Sequence, residues 1–181
     1  MKKRRLDPHH LDVSAFAENA AELSGDIPLL DCQKLLDYAA PDAPPGHKNV
    51  VTWMARGELR PVRSQAPEVW LHLDASASLF MACQRCLQPL LVKLQVQRSL
   101  RFVAGEDAAA AEDAESDDDV LALTQSLNLF ELIEDELVLS LPWVPRHEVC
   151  PSPLPQAAPE AEMKEPHPFA VLAQLKKPKD F

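Results

Sequence analysis

Two short pieces of this chain carry the residue types that hold metals or exchange thiols. They are Cys83-Gln84-Arg85-Cys86 and, about sixty residues later, His147-Glu148-Val149-Cys150. The remaining cysteine, Cys32, stands apart and belongs to no pattern. A C-x-x-C knuckle brings two sulfurs close enough to share a metal ion or close a disulfide. A distant H-x-x-C can add the two ligands that complete a tetrahedral Cys3His zinc site. Four Cys/His ligands fill a zinc shell, whereas a hydrolytic zinc needs an open position for water. The set Cys83, Cys86, His147 and Cys150 therefore favours a structural zinc over its enzymatic alternative, a zinc-dependent hydrolase or nuclease. Two plainer readings compete: reduced thiols that tighten a turn, and an ordinary loop histidine at position 147. Redox catalysis is disfavoured, because this C-x-x-C lies between strand patterns and not in a βαβ setting. The carboxylates of Glu131–Glu136 have no nucleophile or oxyanion donor beside them and read as a solvated helix face.

The elements that must position these residues follow from periodicity. From Val50 the apolar period is two: Val51, Trp53, Ala55 and Leu59 alternate with Thr52, Met54, Arg56, Glu58 and Arg60. Val69, Leu71, Leu73, Ala75, Ala77, Leu79 and Met81 then share one face, and His72, Asp74, Ser76 and Ser78 the other. After Pro89, Val92, Leu94, Val96, Leu100 and Phe102 alternate with Lys93, Gln95, Gln97, Ser99 and Arg101. This is the pattern of an antiparallel sheet with one buried and one wet face, and it puts the C-x-x-C at a hairpin tip. Shorter elements flank the sheet. Ser14 is placed to cap a helix through Asn19, Glu22–Ile27 reads as a strand, and Asp31–Ala39 has helical spacing. Asn128 starts a helix with Glu131 three residues on. Its apolar stripe is Leu129, Phe130, Ile133 and Leu137, with Val138–Leu141 able to turn extended before Pro142. The fold class expected is α+β: an antiparallel β-sheet, able to curl toward a barrel, with short packing helices and a disordered acidic loop. Residues 1–150 form the one domain. Residues 151–181 form a Pro-rich linker and a short C-terminal helix beginning at Pro168, too short to stand alone.

Charge is distributed unevenly. The net charge is −10, but residues 105–119 hold eight carboxylates and no base, the composition of a solvated, flexible loop over about 104–119. Residues 47–104 hold eight Lys and Arg against three acids. Local sign sets local affinity, so whole-chain acidity does not exclude RNA. Arg56, Arg60, Lys93 and Arg101 fall on the polar sides of neighbouring strands, and Arg85 sits at the hairpin tip. Trp70 and Phe80 fall on the same polar side, where a ring can stack on an unpaired base. A merely soluble sheet surface would have a similar pattern. Met1–Arg5 is basic, but Asp7-Pro8-His9-His10 follows it instead of an apolar run. No segment is long and apolar enough to span a bilayer. A cytoplasmic protein with mostly reduced thiols and no membrane partner is expected.

Three patches in order resemble a known family: Cys83-Gln84-Arg85-Cys86-Leu87; Glu134-Asp135-Glu136-Leu137 leading into Leu141-Pro142-Trp143-Val144-Pro145-Arg146-His147; and Pro168-Phe169-Ala170-Val171-Leu172. Together they are similar to the bacterial YceD family, the large ribosomal RNA subunit accumulation proteins. The resemblance implies a non-enzymatic ribosome-biogenesis factor for synthesis, processing or stability of 23S rRNA, with 23S rRNA or large ribosomal subunit precursors as partners. It carries no catalytic residue set. A rival within this class is an interaction protein that binds ribosomal proteins through the acidic run or the C-terminal helix and needs no RNA contact.

Overall fold

Val51, Trp53 and Ala55 are buried while Thr52, Met54 and Arg56 are exposed, so the period-two pattern becomes sheet as expected. The computed structural model describes residues 6–63 and 66–151. Its sheet runs β1 (Glu22–Pro28), β2 (Val50–Arg60), β3 (Glu68–Ala82), β4 (Pro89–Val103) and β5 (Asp119–Ala122), in that spatial order. The first four strands are antiparallel neighbours. The helices are α1 (Val13–Glu18), α2 (Gln33–Leu36), α3 (Glu106–Glu115) and α4 (Leu129–Leu139). None of the described helices is long and apolar enough to cross a membrane.

One face of the sheet builds the core. Leu71, Leu73 and Leu79 of β3 and Leu94, Val96, Leu100 and Phe102 of β4 are buried against Val13 and Phe16 of α1 and Leu129, Ile133 and Leu137 of α4. The α4 residues recur every four positions, which aligns them on one stripe. Asn128 caps this helix: its side-chain oxygen accepts from the N–H groups of Phe130 (3.2 Å) and Glu131 (3.4 Å).

The carboxylates of α4 do more than face solvent. Glu134 accepts from the N–H of Lys34 at 2.6 Å, at the start of α2, where helix N–H groups lack partners. Asp135 pairs with the Lys34 ammonium, and Glu136 pairs with Arg98 of β4 at 2.9 Å. The expected solvated face is therefore partly a docking face, because neighbouring elements supply its cations.

Gly57 shows how closely α1 lies on the sheet. A Cβ at this position would sit 2.8 Å from Ala17 Cα, Ala17 N and Phe16 C, all backbone atoms that cannot rotate away. Gly57→Ala should force α1 off β2 and cost about 1–3 kcal/mol, the usual penalty for overpacking. Urea denaturation checks this, and a midpoint equal to wild type would show that α1 moves freely.

Several expectations need correction. The acidic run is not a disordered loop: Glu106–Glu115 is helical, and Asp119–Ala122 pairs parallel to β4, with Leu100 opposite Asp119. The alanines at 108–111 are strong helix formers, and Glu106 and Asp107 suit the positive helix start. Local tertiary contacts then hold the segment. Glu112 pairs with Arg101 at 2.7 Å, and Asp113 accepts from the Val120 N–H at 3.0 Å. Parallel neighbours require a crossover, and α3 provides it. The sheet is consequently mixed and open, with β1 and β5 at its edges rather than closed into a barrel. The first helix is capped by Asp12, not Ser14, its carboxylate accepting from Ala15 N–H at 3.0 Å. The 31–39 segment is split between a 3-10 turn at Leu29–Asp31 and α2, and α4 stays helical to Leu139. The expected linker and C-terminal helix lie outside the described residues, apart from Pro151.

Candidate functional site

The hairpin between β3 and β4 closes over Cys83–Gln88. Cys83 N–H donates to Gln88 O (3.0 Å), and Leu87 N–H donates to Cys83 O (2.9 Å). Leu87 takes the left-handed conformation, φ 61°, a strained geometry for a non-glycine residue. Pro89 begins β4, a position where a strand tolerates proline. Backbone N–H groups of the turn favour thiolate, those of Arg85 and Cys86 at Cys83 and that of Gln88 at Cys86.

The segment after α4 folds back onto this tip. Gln84 N–H donates to Pro145 O at 2.8 Å, and His147 N–H approaches Cys83 Sγ at 3.5 Å. His147 Nδ1 lies 3.5 Å from Cys86 Sγ. Cys83, Cys86, His147 and Cys150 each present one ligand atom, and all of these atoms lie within 4.8 Å of one another. A tetrahedral zinc with bonds of about 2.0–2.3 Å separates its ligand atoms by roughly 3.5–3.8 Å. The cluster is thus near the size of a closed four-ligand shell and could hold a metal ion. All four cysteines of the chain are free thiols.

Electrostatics at the tip favour thiolate at Cys83 and oppose it at Cys86. Burial opposes ionisation of Cys83, but the N–H groups of His147, Cys86 and Arg85 outweigh it and bring the thiol down to about 5. Cys86 is pushed up, first by burial and then by the neighbouring sulfurs, against the Gln88 N–H. Adjacent thiolates repel, and a cation between them removes that conflict. Cys32 behaves differently. Burial, then the charges of Glu134 and Asp31, push it up to about 11, so it is a packed thiol.

Arg85, expected as an RNA contact at the tip, lies across the cluster instead. Its Nε donates to Cys150 Sγ at 3.0 Å, and its Nη2 donates to the carbonyls of His147 (3.0 Å) and Glu148 (3.2 Å). The bond to Cys150 holds the guanidinium more firmly charged than usual. Position between the two cysteines was visible in the sequence, but the direction of the side chain was not.

The other expected RNA residues share the open sheet face but not the same state. Arg101 is locked between Glu68 (3.8 Å) and Glu112 (2.7 Å), with its side chain only 13% exposed. Arg60 pairs with Glu58 at 3.3 Å and stacks 3.9 Å above the Trp70 ring. Trp70 also donates to Glu68 at 2.9 Å and is buried, so its ring is not open to a base. His72 is held between Glu58 (2.6 Å) and Ser99 (2.9 Å), a polar ladder across β2, β3 and β4. Arg56 and Lys93 are exposed. The alternation therefore placed these residues on the polar face, while the acid that neutralises Arg60 is its own-strand neighbour Glu58 and those that neutralise Arg101 came from strand register (Glu68) and from α3 (Glu112). Lys48, just before β2, is exposed on the rim of that same face. Sequence reading did not place it there, because it precedes the alternating pattern.

A family model described as "Large ribosomal RNA subunit accumulation protein YceD" matches residues 71–176, more than half of the chain. The match takes in most of β3, the knuckle and the segment that folds back on it. A Haemophilus influenzae protein with the same description is 29% identical over 167 residues, covering 82% of this chain and 92% of the relative. No solved structure matches significantly. With the knuckle and its returning arm both inside the matched span, the chain belongs to the YceD family.

Proposed function

We propose that this protein is a non-catalytic ribosome-biogenesis factor that supports accumulation of 23S rRNA in the cytoplasm by associating with rRNA or large-subunit precursors, and that its Cys3His cluster holds one structural zinc. The observation that carries the functional part is family membership over the domain that bears the knuckle. Exposed Arg56 and Lys93 on an otherwise polar sheet face support contact with a polyanion. The zinc part is supported by four ligands of the correct types gathered within 4.8 Å. Because those four saturate a tetrahedral shell, the zinc would orient the chain and leave no water position for hydrolysis.

Gradient sedimentation of lysate at low and raised salt tests the association. The protein is expected to travel with large-subunit precursors at low salt and to leave them as salt rises. Migration only at the top of the gradient in both conditions would defeat the reading.

A further inference from the structure

The open sheet face has one end where the charges cancel and one where they do not. At the first end, Arg60, His72 and Arg101 are paired with Glu58, Glu68 and Glu112. At the other, Lys48 and Lys93 line a shallow cavity of about 400 Å³ together with Thr52, Ser76, Ser78 and Gln95. Among the described residues neither lysine is ion-paired, and both are exposed. No carboxylate lines this cavity. In a chain with 28 Asp and Glu that is unusual, and the three other described cavities each contain at least one: Asp26 and Glu134, Asp37, or Asp7 and Asp12.

Register explains how the residues meet. Thr52 stands opposite Ser76, Ser76 opposite Gln95, and Ser78 opposite Lys93. Strands lie about 4.8 Å apart, and same-face side chains recur about every 6.7 Å along a strand, so hydroxyls, amide and ammonium form a continuous polar tract. Thr52 donates to Asp26 at 2.8 Å on its outer side, which turns that carboxylate toward β2. The next position along β3 on this face is Phe80, 40% exposed, and its opposite number on β4 is Leu91, also exposed. An open ring beside a tract of cations and hydrogen-bonding groups is the pairing that single-stranded RNA requires. The lysines take phosphates, the hydroxyls and amide take sugar and phosphate oxygens, and the ring takes a base face.

We infer that the Lys48–Lys93 groove and the neighbouring Phe80 ring form a binding site for single-stranded RNA. The inference rests on the proposed role in 23S rRNA accumulation and gives that role a surface. It moves the contact away from Arg60, Arg85 and Arg101, which are engaged within the protein.

Fluorescence anisotropy with a short, end-labelled single-stranded RNA of mixed sequence tests the groove on the full chain. The double variant K48E/K93E should bind at least tenfold more weakly. Its log–log salt slope should be flatter by about 1.4, since each lost phosphate contact removes roughly 0.7 on a single strand. Phe80→Ala should bind at least fivefold more weakly with an unchanged slope, because stacking releases no counterions. K48R/K93R should bind like wild type, and thermal melts of each variant separate misfolding from lost contact. Wild-type levels of binding and slope in K48E/K93E would overturn the site, as would the absence of RNA binding by the wild type. Failure of the broader reading looks different. If K48E/K93E and wild type co-sediment equally with large-subunit precursors, only the groove is wrong. If the wild type does not co-sediment at all, the association itself is wrong, whatever the oligonucleotide shows.

Discussion

Protein purified under reducing conditions is expected to carry one zinc ion per chain, and Cys83→Ser or Cys150→Ser to carry well under half of that. The four residues come from two places, a hairpin tip and an arm that follows α4, so a shared metal would close a loop of about sixty residues. A structural zinc in a small domain is worth about 10–16 kcal/mol of apparent binding energy near neutral pH. Part of that would go into docking the arm, which Arg85 and the Gln84–Pro145 hydrogen bond already guide. Chelation should therefore lower the melting temperature by roughly 5–10 °C, the shift that a loss of about 2–3 kcal/mol produces in a chain of this size. It should also expose three reactive thiols, Cys83, Cys86 and Cys150, while Cys32 stays silent until the chain unfolds, being buried and pushed up to about 11. Acid should act in the same direction. Cys83 lies at about 5 in the fold, below its unfolded value, so the stability its thiolate contributes is complete above that unfolded value. It is lost progressively as pH falls toward 5, and protons compete for the metal over the same range. Zinc far below one equivalent, with an unchanged melt after chelation, would return the four residues to plain reduced thiols and a loop histidine.

How far this molecule can be read from its sequence depends on which physical signal each part leaves. Strands β2, β3 and β4 were legible because their alternation is long and one face is buried, so only one register face satisfies the apolar set. The α4 helix was legible through Asn128 and a stripe at i, i+4 and i+8. The acidic helix was not. Its apolar content is alanine alone, with Ala109 its only buried residue, and net charge dominated the reading. What orders it is nonlocal: Arg101 on β4 and the parallel pairing of β5. The four cluster residues were legible as types and spacing, and a hairpin tip was expected for the first pair. That the second pair folds back onto the first depends on the path of the chain after α4, where three prolines stiffen the backbone without encoding its direction. The open sheet face was half legible. Alternation says which side of the sheet a cation occupies, but whether it is free depends on the acids opposite it. Those acids are Glu58, Glu68 and Glu112: Glu58 flanks Arg60 on β2, whereas strand register brings Glu68, and α3 brings Glu112, to Arg101.

Loss of this protein is expected to lower mature 23S rRNA relative to 16S rRNA, and complementation by charge variants should rank the faces of the molecule. Restoring wild type should restore the ratio; K48E/K93E combined with Arg56→Glu should restore it poorly, because it reverses the exposed cations of the open sheet face. Arg101→Glu should act mainly through stability, since it breaks two ion pairs and leaves Glu68 and Glu112 facing a new carboxylate. A melt tells these two causes apart. The acidic helix offers the contrasting case. Deleting it would also remove the crossover to β5, so neutralisation is the cleaner change: Asp107→Asn, Glu115→Gln, Asp117→Asn and Asp118→Asn keep the alanine-rich backbone and leave Glu112 on Arg101. Four fewer like charges near a phosphate surface should leave association with precursors intact or strengthen it. If the protein instead binds basic ribosomal proteins, the order inverts, with neutralisation of the acidic segment abolishing association and reversal of Lys48, Lys93 and Arg56 changing nothing. The ratio of 23S to 16S rRNA in these strains, read beside co-sedimentation, decides between an RNA-facing sheet and a protein-facing helix.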